Sequence, residues 1–276
     1  MNLVVQGAAL SEDHLRRIST LAGTQQMERL GASACRLIGA LRQTGVADYC
    51  LQAGLDFGFV PQTRRLADMR LLAIDMDSTL ITIECIDEVA DLAGVKSEVA
   101  AITAAAMSGE LDYAQSLRRR VALLRGLNED ALARVYDERL RLSPGAEILL
   151  DAVRRAGLKT LLVSGGFTYF TERLKARLGL DYATSNTVEI DGGRLTGQVI
   201  GDIVDAAGKA AKLRALRVGL GIAREATIAV GDGANDIAMM AEAGVSVAFH
   251  AKPLVRSKAD YTLDHVGLEG VLKLFA

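Results

Sequence analysis

The sequence predicts an α/β protein built on a Rossmann-like parallel sheet, with a helical insertion beside the sheet and a small α+β module ahead of it. Three observations carry this reading. From Leu71 onward, short apolar runs alternate with longer amphipathic segments: "LLAID", "LKTLLVSGG", "ATIAVGDG" and "VSVAF". This is the rhythm of strands buried on both faces by helical crossovers. Between Ile86 and about Leu142 the rhythm stops, and helical patterns follow one another directly. Finally, half of the 276 residues are hydrophobic, enough for one large domain with an appendage.

In chain order, "NLVVQG" reads as a strand and Ser11 to about Leu21 as a helix, followed by mixed small and apolar residues. These form a small α+β module over residues 1–67, with the boundary near Pro61 to Asp68. The sheet domain, 68–276, opens on "LLAID". The insertion at about 86–142 contains "IDEVADLAG", "SEVAAITAAAMSGE", "YAQSLRRRVALLRG" and "NEDALARVYDERL", all helical in pattern. The next helix, "SPGAEILLDAVRRAG", is expected to take Ser143 as N-cap and Pro144 in its first turn, and to end at Gly157. After the second strand, "VEIDGGRLTGQV" alternates around Asp191-Gly192-Gly193 and predicts a β-hairpin.

Charge and cysteine usage narrow the function classes. With 32 basic against 34 acidic residues, the chain lacks the global positive field that nucleic-acid binding uses. Cys35, Cys50 and Cys85 show neither CxxC nor metal spacing, so they are expected to be reduced, buried thiols of a cytoplasmic protein. No apolar run approaches the ~18 residues of a membrane span, and no leader pattern opens the chain.

In an open α/β sheet, ligands bind at the carboxyl ends of the strands. The first of these strands exits into Asp75-Met76-Asp77-Ser78-Thr79, the second into Ser164-Gly165-Gly166, and the third into Gly231-Asp232-Gly233-Ala234-Asn235-Asp236. Four converging aspartates would repel one another without a cation, and hard oxygen donors with no histidine or cysteine favour Mg²⁺. Such a metal uses only one or two carboxylates, which leaves others to attack phosphorus or move protons. Ser164, the glycine amides after it and a lysine suit the non-bridging oxygens of a phosphoryl group.

"DMDSTL", "SGG", a lysine and "GDGAND" resemble the four motifs of the haloacid dehalogenase superfamily. The resemblance covers about residues 68–276 and is strongest to members that hydrolyse O-phospho-L-serine. It implies that Asp75 is the nucleophile and Asp77 the general acid/base. It further implies that Mg²⁺ lies between the Asp75 carboxylate, the Asp77 backbone carbonyl and the Asp232 carboxylate, supported by Asp236. Ser164, Gly165 and Lys209 would bind phosphate, Lys209 rather than Lys212 having the family spacing, and Asn235 would touch the substrate beside it. The helical insertion becomes a cap; Glu84 at its entrance and Arg120 within it would read the ammonium and carboxylate, and Met107 would close over the substrate. The N-terminal module resembles degenerate ACT-like domains, which bind amino acids or pair subunits, so a homodimer is one expectation. Phosphoryl transfer to homoserine or hydrolysis of another small phosphoester is the competing reaction, and a P-type pump would need membrane helices. His14, His250 and His265 receive no role.

Overall fold

The computed structural model describes residues 1–275. Strand β1 (Asn2–Gln6), helix α1 (Glu12–Ala22), β2 (Gln26–Arg29), β3 (Ala34–Ile38), α2 (Val46–Ala53) and β4 (Asp56–Val60) follow one another as β-α-β-β-α-β. Their strands form an antiparallel sheet in the order β2-β3-β1-β4. Ser11 caps α1, its hydroxyl accepting the His14 amide at 3.2 Å. Leu3, Val5 and Leu37 on one face of this sheet pack under Leu15 and Ile18 of α1 and Cys50 of α2.

The seven-stranded sheet begins with β5 (Leu71–Ile74). Helices α3 (Cys85–Ala93), α4 (Lys96–Met107), α5 (Tyr113–Ala122) and α6 (Asp130–Arg134) then form the insertion. The chain returns through α7 (Ala146–Arg155), β6 (Lys159–Phe167), α8 (Thr168–Leu178) and the hairpin of β7 (Tyr182–Asp191) with β8 (Arg194–Ile200). It finishes with α9 (Ala206–Gly219), β9 (Thr227–Gly231), α10 (Ile237–Ala241), β10 (Val245–Phe249), α11 (Pro253–Arg256) and β11 (Tyr261–Leu263). The strand order is β11-β10-β9-β5-β6-β7-β8, with every neighbouring pair parallel except β7 and β8. Leu72 and Ile74 of β5 enter one apolar core and Leu71 and Ala73 another on the opposite face, which explains a strand without polar alternation.

One sequence expectation needs adjusting. Ser143 does not cap α7: Ser143-Pro144-Gly145 make a turn closed by the Ala146 amide on the Ser143 carbonyl at 3.1 Å, and Gly145, at φ +76°, is the capping residue. The helix therefore starts two residues later than the Ser-Pro pair suggested, and Gly157 at φ +79° follows its end as expected. The predicted hairpin forms, with its turn at Gly192 and Gly193, both at positive φ, while the start of β7 pairs in parallel with β6.

The two sheets are bolted together. The buried Asp56 carboxylate accepts the successive backbone amides of Asp264, His265 and Val266 at 2.8, 2.8 and 3.1 Å. Gln6 donates to the Gly270 carbonyl at 3.1 Å and Arg36 to that of Phe275 at 2.6 Å. Among the described residues, no helix is long and apolar enough to cross a membrane.

Candidate active site

Adjacent β5 and β9 deliver most of the charge. The Asp75 amide continues the β5–β9 ladder by donating to the Val230 carbonyl at 3.0 Å, so its carboxylate emerges beside the exit of β9. The chain then turns sharply: Ser78 sits at φ +55°, a left-handed conformation that costs a non-glycine residue energy and recurs at functional turns. Its hydroxyl donates to Glu84 at 2.6 Å, tying the turn to the start of α3.

Lys209, on the first turn of α9, is only 1 % exposed and donates to Asp75 Oδ1 at 2.5 Å and Asp236 Oδ1 at 2.7 Å. The other oxygen of Asp236 accepts the Gly233 amide at 3.1 Å, and Asp232 accepts the Thr79 hydroxyl at 3.1 Å. Carboxylate oxygens of Asp75, Asp232 and Asp236 come within 4.8 Å of one another. Burial, then the Asp236 charge, pushes the Asp75 carboxyl well above the usual range despite Lys209. Burial and the same neighbour lift Asp232 to about 6. Burial opposes the charge of Lys209, yet Asp75 and Asp236 hold its ammonium above the ordinary lysine range. One ammonium cannot balance three clustered carboxylates, and an all-oxygen donor set of this kind fits Mg²⁺.

The Asp77 carboxylate faces elsewhere. It accepts the Cys85 amide at 2.9 Å and the Ser164 hydroxyl at 3.2 Å, and burial raises its pKa while the Cys85 amide opposes the rise. Ser164 in turn accepts the Gly166 amide at 2.8 Å. The Gly165 carbonyl takes two donors, Tyr113 Oη from the cap at 2.8 Å and Asn186 Nδ2 from β7 at 2.7 Å. Glycine is required here by close approach, since a Cβ on Gly165 would lie 2.2 Å from Tyr113 Oη. Gly165→Ala is therefore expected to push the cap off the loop and lower kcat/KM about a hundredfold with the fold retained, as ångström-scale misplacement typically does. Parallel circular dichroism and kinetics check this.

Sheet and cap enclose a cavity of about 700 Å³. Asp75, Asp77, Gly165, Lys209, Asp232 and Asn235 line its floor, and Glu84, Met107 and Arg120 line its upper wall. Ser164 and Asp236 stand just behind. Met107 is 68 % exposed, so it occupies the rim. Burial, with Asp77 next in effect, lifts the Glu84 carboxyl to about 7 against the Ser78 hydroxyl. Lys212 is exposed and outside the cavity. None of the histidines lines it, and His14 is paired with Tyr49 at 2.9 Å.

Sequence reasoning missed Tyr113, Ser116, Asn186 and Lys252. The first two lie on the "YAQSLRRR" helix seven and four residues before Arg120, a helical spacing that could have flagged them. Asn186 is a fully buried amide joining the Gly165 carbonyl to the Val204 amide, the latter at 2.7 Å. Lys252 comes from the loop before α11 and carries no local signal.

A parallel sheet with carboxylates at adjacent strand exits and a helical cap above them defines a class that a family comparison names. The haloacid dehalogenase-like hydrolase model matches residues 72–241, and a domain of unknown function matches residues 3–45. The chain belongs to the haloacid dehalogenase-like hydrolase family. Within it the chain groups with the phosphoserine phosphatases. That of Albidiferax ferrireducens is 55 % identical over 223 residues, 79 % of this chain and 94 % of the relative. The crystal structure of a probable phosphoserine phosphatase from Vibrio cholerae, unliganded, superposes with a TM-score of 0.88 at 41 % identity, covering 99 % of this chain and 85 % of the other. A substrate-bound phosphoserine phosphatase complex superposes at 0.71 with 40 % identity, covering 75 % and 99 %.

Proposed function

We propose that this chain hydrolyses O-phospho-L-serine to L-serine and phosphate through an aspartyl-phosphate on Asp75, as the last step of L-serine biosynthesis in the cytoplasm. The observation that carries the reading is the buried Asp75–Lys209–Asp236 cluster opening into a cavity walled by Glu84 and Arg120. Residues 1–67 form a separate module outside the chemistry, and the three unpaired, buried cysteines suit a reducing compartment.

An Asp75 carboxylate oxygen attacks phosphorus, and the bond from phosphorus to the seryl oxygen breaks. Asp77 gives its proton to that leaving oxygen. Its burial serves this step, because burial raises the Asp77 pKa and so favours the protonated form that donates. L-serine departs, Asp77 takes a proton from water, and the resulting nucleophile attacks phosphorus, breaking the bond to Asp75 and freeing phosphate. Two of the three Lys209 hydrogens are committed to Asp75 and Asp236, leaving one for a phosphate oxygen. Ser164 would exchange Asp77 for another phosphate oxygen. Asp75, Asp232 and the Asp77 backbone carbonyl, supported by Asp236, would hold Mg²⁺, which supplies positive charge to the phosphoryl oxygens. Glu84 faces the substrate ammonium and Arg120 its carboxylate.

Phosphate release from a panel of small phosphate esters with Mg²⁺ tests the reading: O-phospho-L-serine should be preferred, and added homoserine should not raise the rate. Arg120→Ala should cost about a hundredfold or more in kcat/KM on O-phospho-L-serine and far less on O-phosphoethanolamine, which lacks the carboxylate. Equal losses on the two would remove Arg120 from recognition.

A further inference from the structure

On α5, Tyr113, Ser116, Leu117 and Arg120 form the stripe that faces the cavity. Ser116 is 1 % exposed, and among the described residues its hydroxyl has no hydrogen-bond partner. One turn on, the Arg120 Nε is likewise buried without a partner. Two helical hydroxyls elsewhere in this protein donate to the carbonyl four residues back: Thr103, lining the same cavity, donates to Val99 at 3.1 Å, and Thr20 donates to Arg16 at 2.9 Å. Ser116 does not, although its own amide donates to the Asp112 carbonyl at 3.0 Å. Buried polar groups are almost always paired, so two adjacent unpaired donors on a cavity wall point to a ligand that pairs them.

We propose that Ser116 is a specificity-determining residue whose hydroxyl donates to the substrate carboxylate beside Arg120. The proposal rests on the phosphoserine reading above. A carboxylate fits because both orphaned groups can donate and the nearby charge is a guanidinium. Glu84 and Asp87, which line the same cavity, suit the ammonium instead. Burial raises the Asp87 carboxyl, and the Arg120 charge opposes the rise.

Ser116→Ala and Ser116→Thr, each assayed on O-phospho-L-serine and O-phosphoethanolamine, test the assignment. For Ser116→Ala the expected result is a KM for O-phospho-L-serine raised about tenfold, in keeping with a lost hydrogen bond to a charged group. O-phosphoethanolamine should be unaffected, and Ser116→Thr should restore much of the loss. The melting temperature of substrate-free Ser116→Ala should be equal to or above that of wild type, because an unpaired buried hydroxyl has been removed. A structural role would instead lower it. Equal effects on both substrates, no effect on either, or a destabilised Ser116→Ala would overturn the assignment while leaving the phosphoserine reading intact. A wild-type enzyme indifferent to the carboxylate would sink that reading and this inference together.

Discussion

Asp75→Asn is expected to abolish turnover, with kcat falling about 10⁴-fold or more, as when a nucleophile is removed from an enzyme that forms a covalent intermediate. Asparagine keeps the shape, and its carbonyl oxygen can still accept from Lys209, so the geometry of β5 and α9 should survive. What disappears is the carboxylate oxygen that bonds phosphorus. The variant should also fail to give a phosphorylated protein when quenched with acid during turnover, whereas wild type should show one by intact mass. The free protein should fold at least as well, because the substitution removes one charge from a fully buried site where burial and Asp236 already oppose ionisation. Near-normal activity in Asp75→Asn, or a phosphoenzyme still formed by it, would transfer the nucleophilic role elsewhere.

How much of this was legible in the sequence follows from where each residue sits. Asp75, Asp77, Asp232 and Asp236 could be read because they occupy strand exits, where the fold converts positions in sequence into proximity in space. Strand β5 was legible because both of its faces are buried, leaving an uninterrupted apolar run. By contrast, all four residues of β2 are exposed and β11 is three residues long, so neither leaves a pattern. The α7 cap was misplaced because Ser-Pro ahead of an apolar run looks like a helix start, while the turn depends on Gly145 adopting a left-handed conformation packed against Glu269. Tyr113 and Asn186 share one acceptor, the Gly165 carbonyl, though they lie 52 and 21 residues from it in the chain. No local signal encodes such a meeting.

Lys209→Met should reduce both stability and activity, and the two losses separate by pH. Its ammonium is the one charge hydrogen-bonded to Asp75 and Asp236 in a fully buried cluster. Methionine fills the volume but leaves carboxylates uncompensated, and breaking a buried ion pair from one side typically costs about 3–5 kcal/mol. Activity should fall further still, because the donor assigned to the phosphoryl oxygens is gone. Asp75 already has a folded-state pKa above its unfolded value, and without Lys209 it should rise higher. The folded state then binds more protons than the unfolded one, so stability declines as pH rises through the interval between the two pKa values. Lys209→Met should therefore lose more melting temperature at pH 8 than at pH 5, relative to wild type at each pH, when both are measured without divalent metal. Adding Mg²⁺ at pH 8 should recover part of the deficit, because a cation that binds only the folded state stabilises it by mass action. A variant as stable as wild type at pH 8 would show that the carboxylates do not depend on Lys209 for their charge balance. The lysine would then owe its burial to phosphate binding alone.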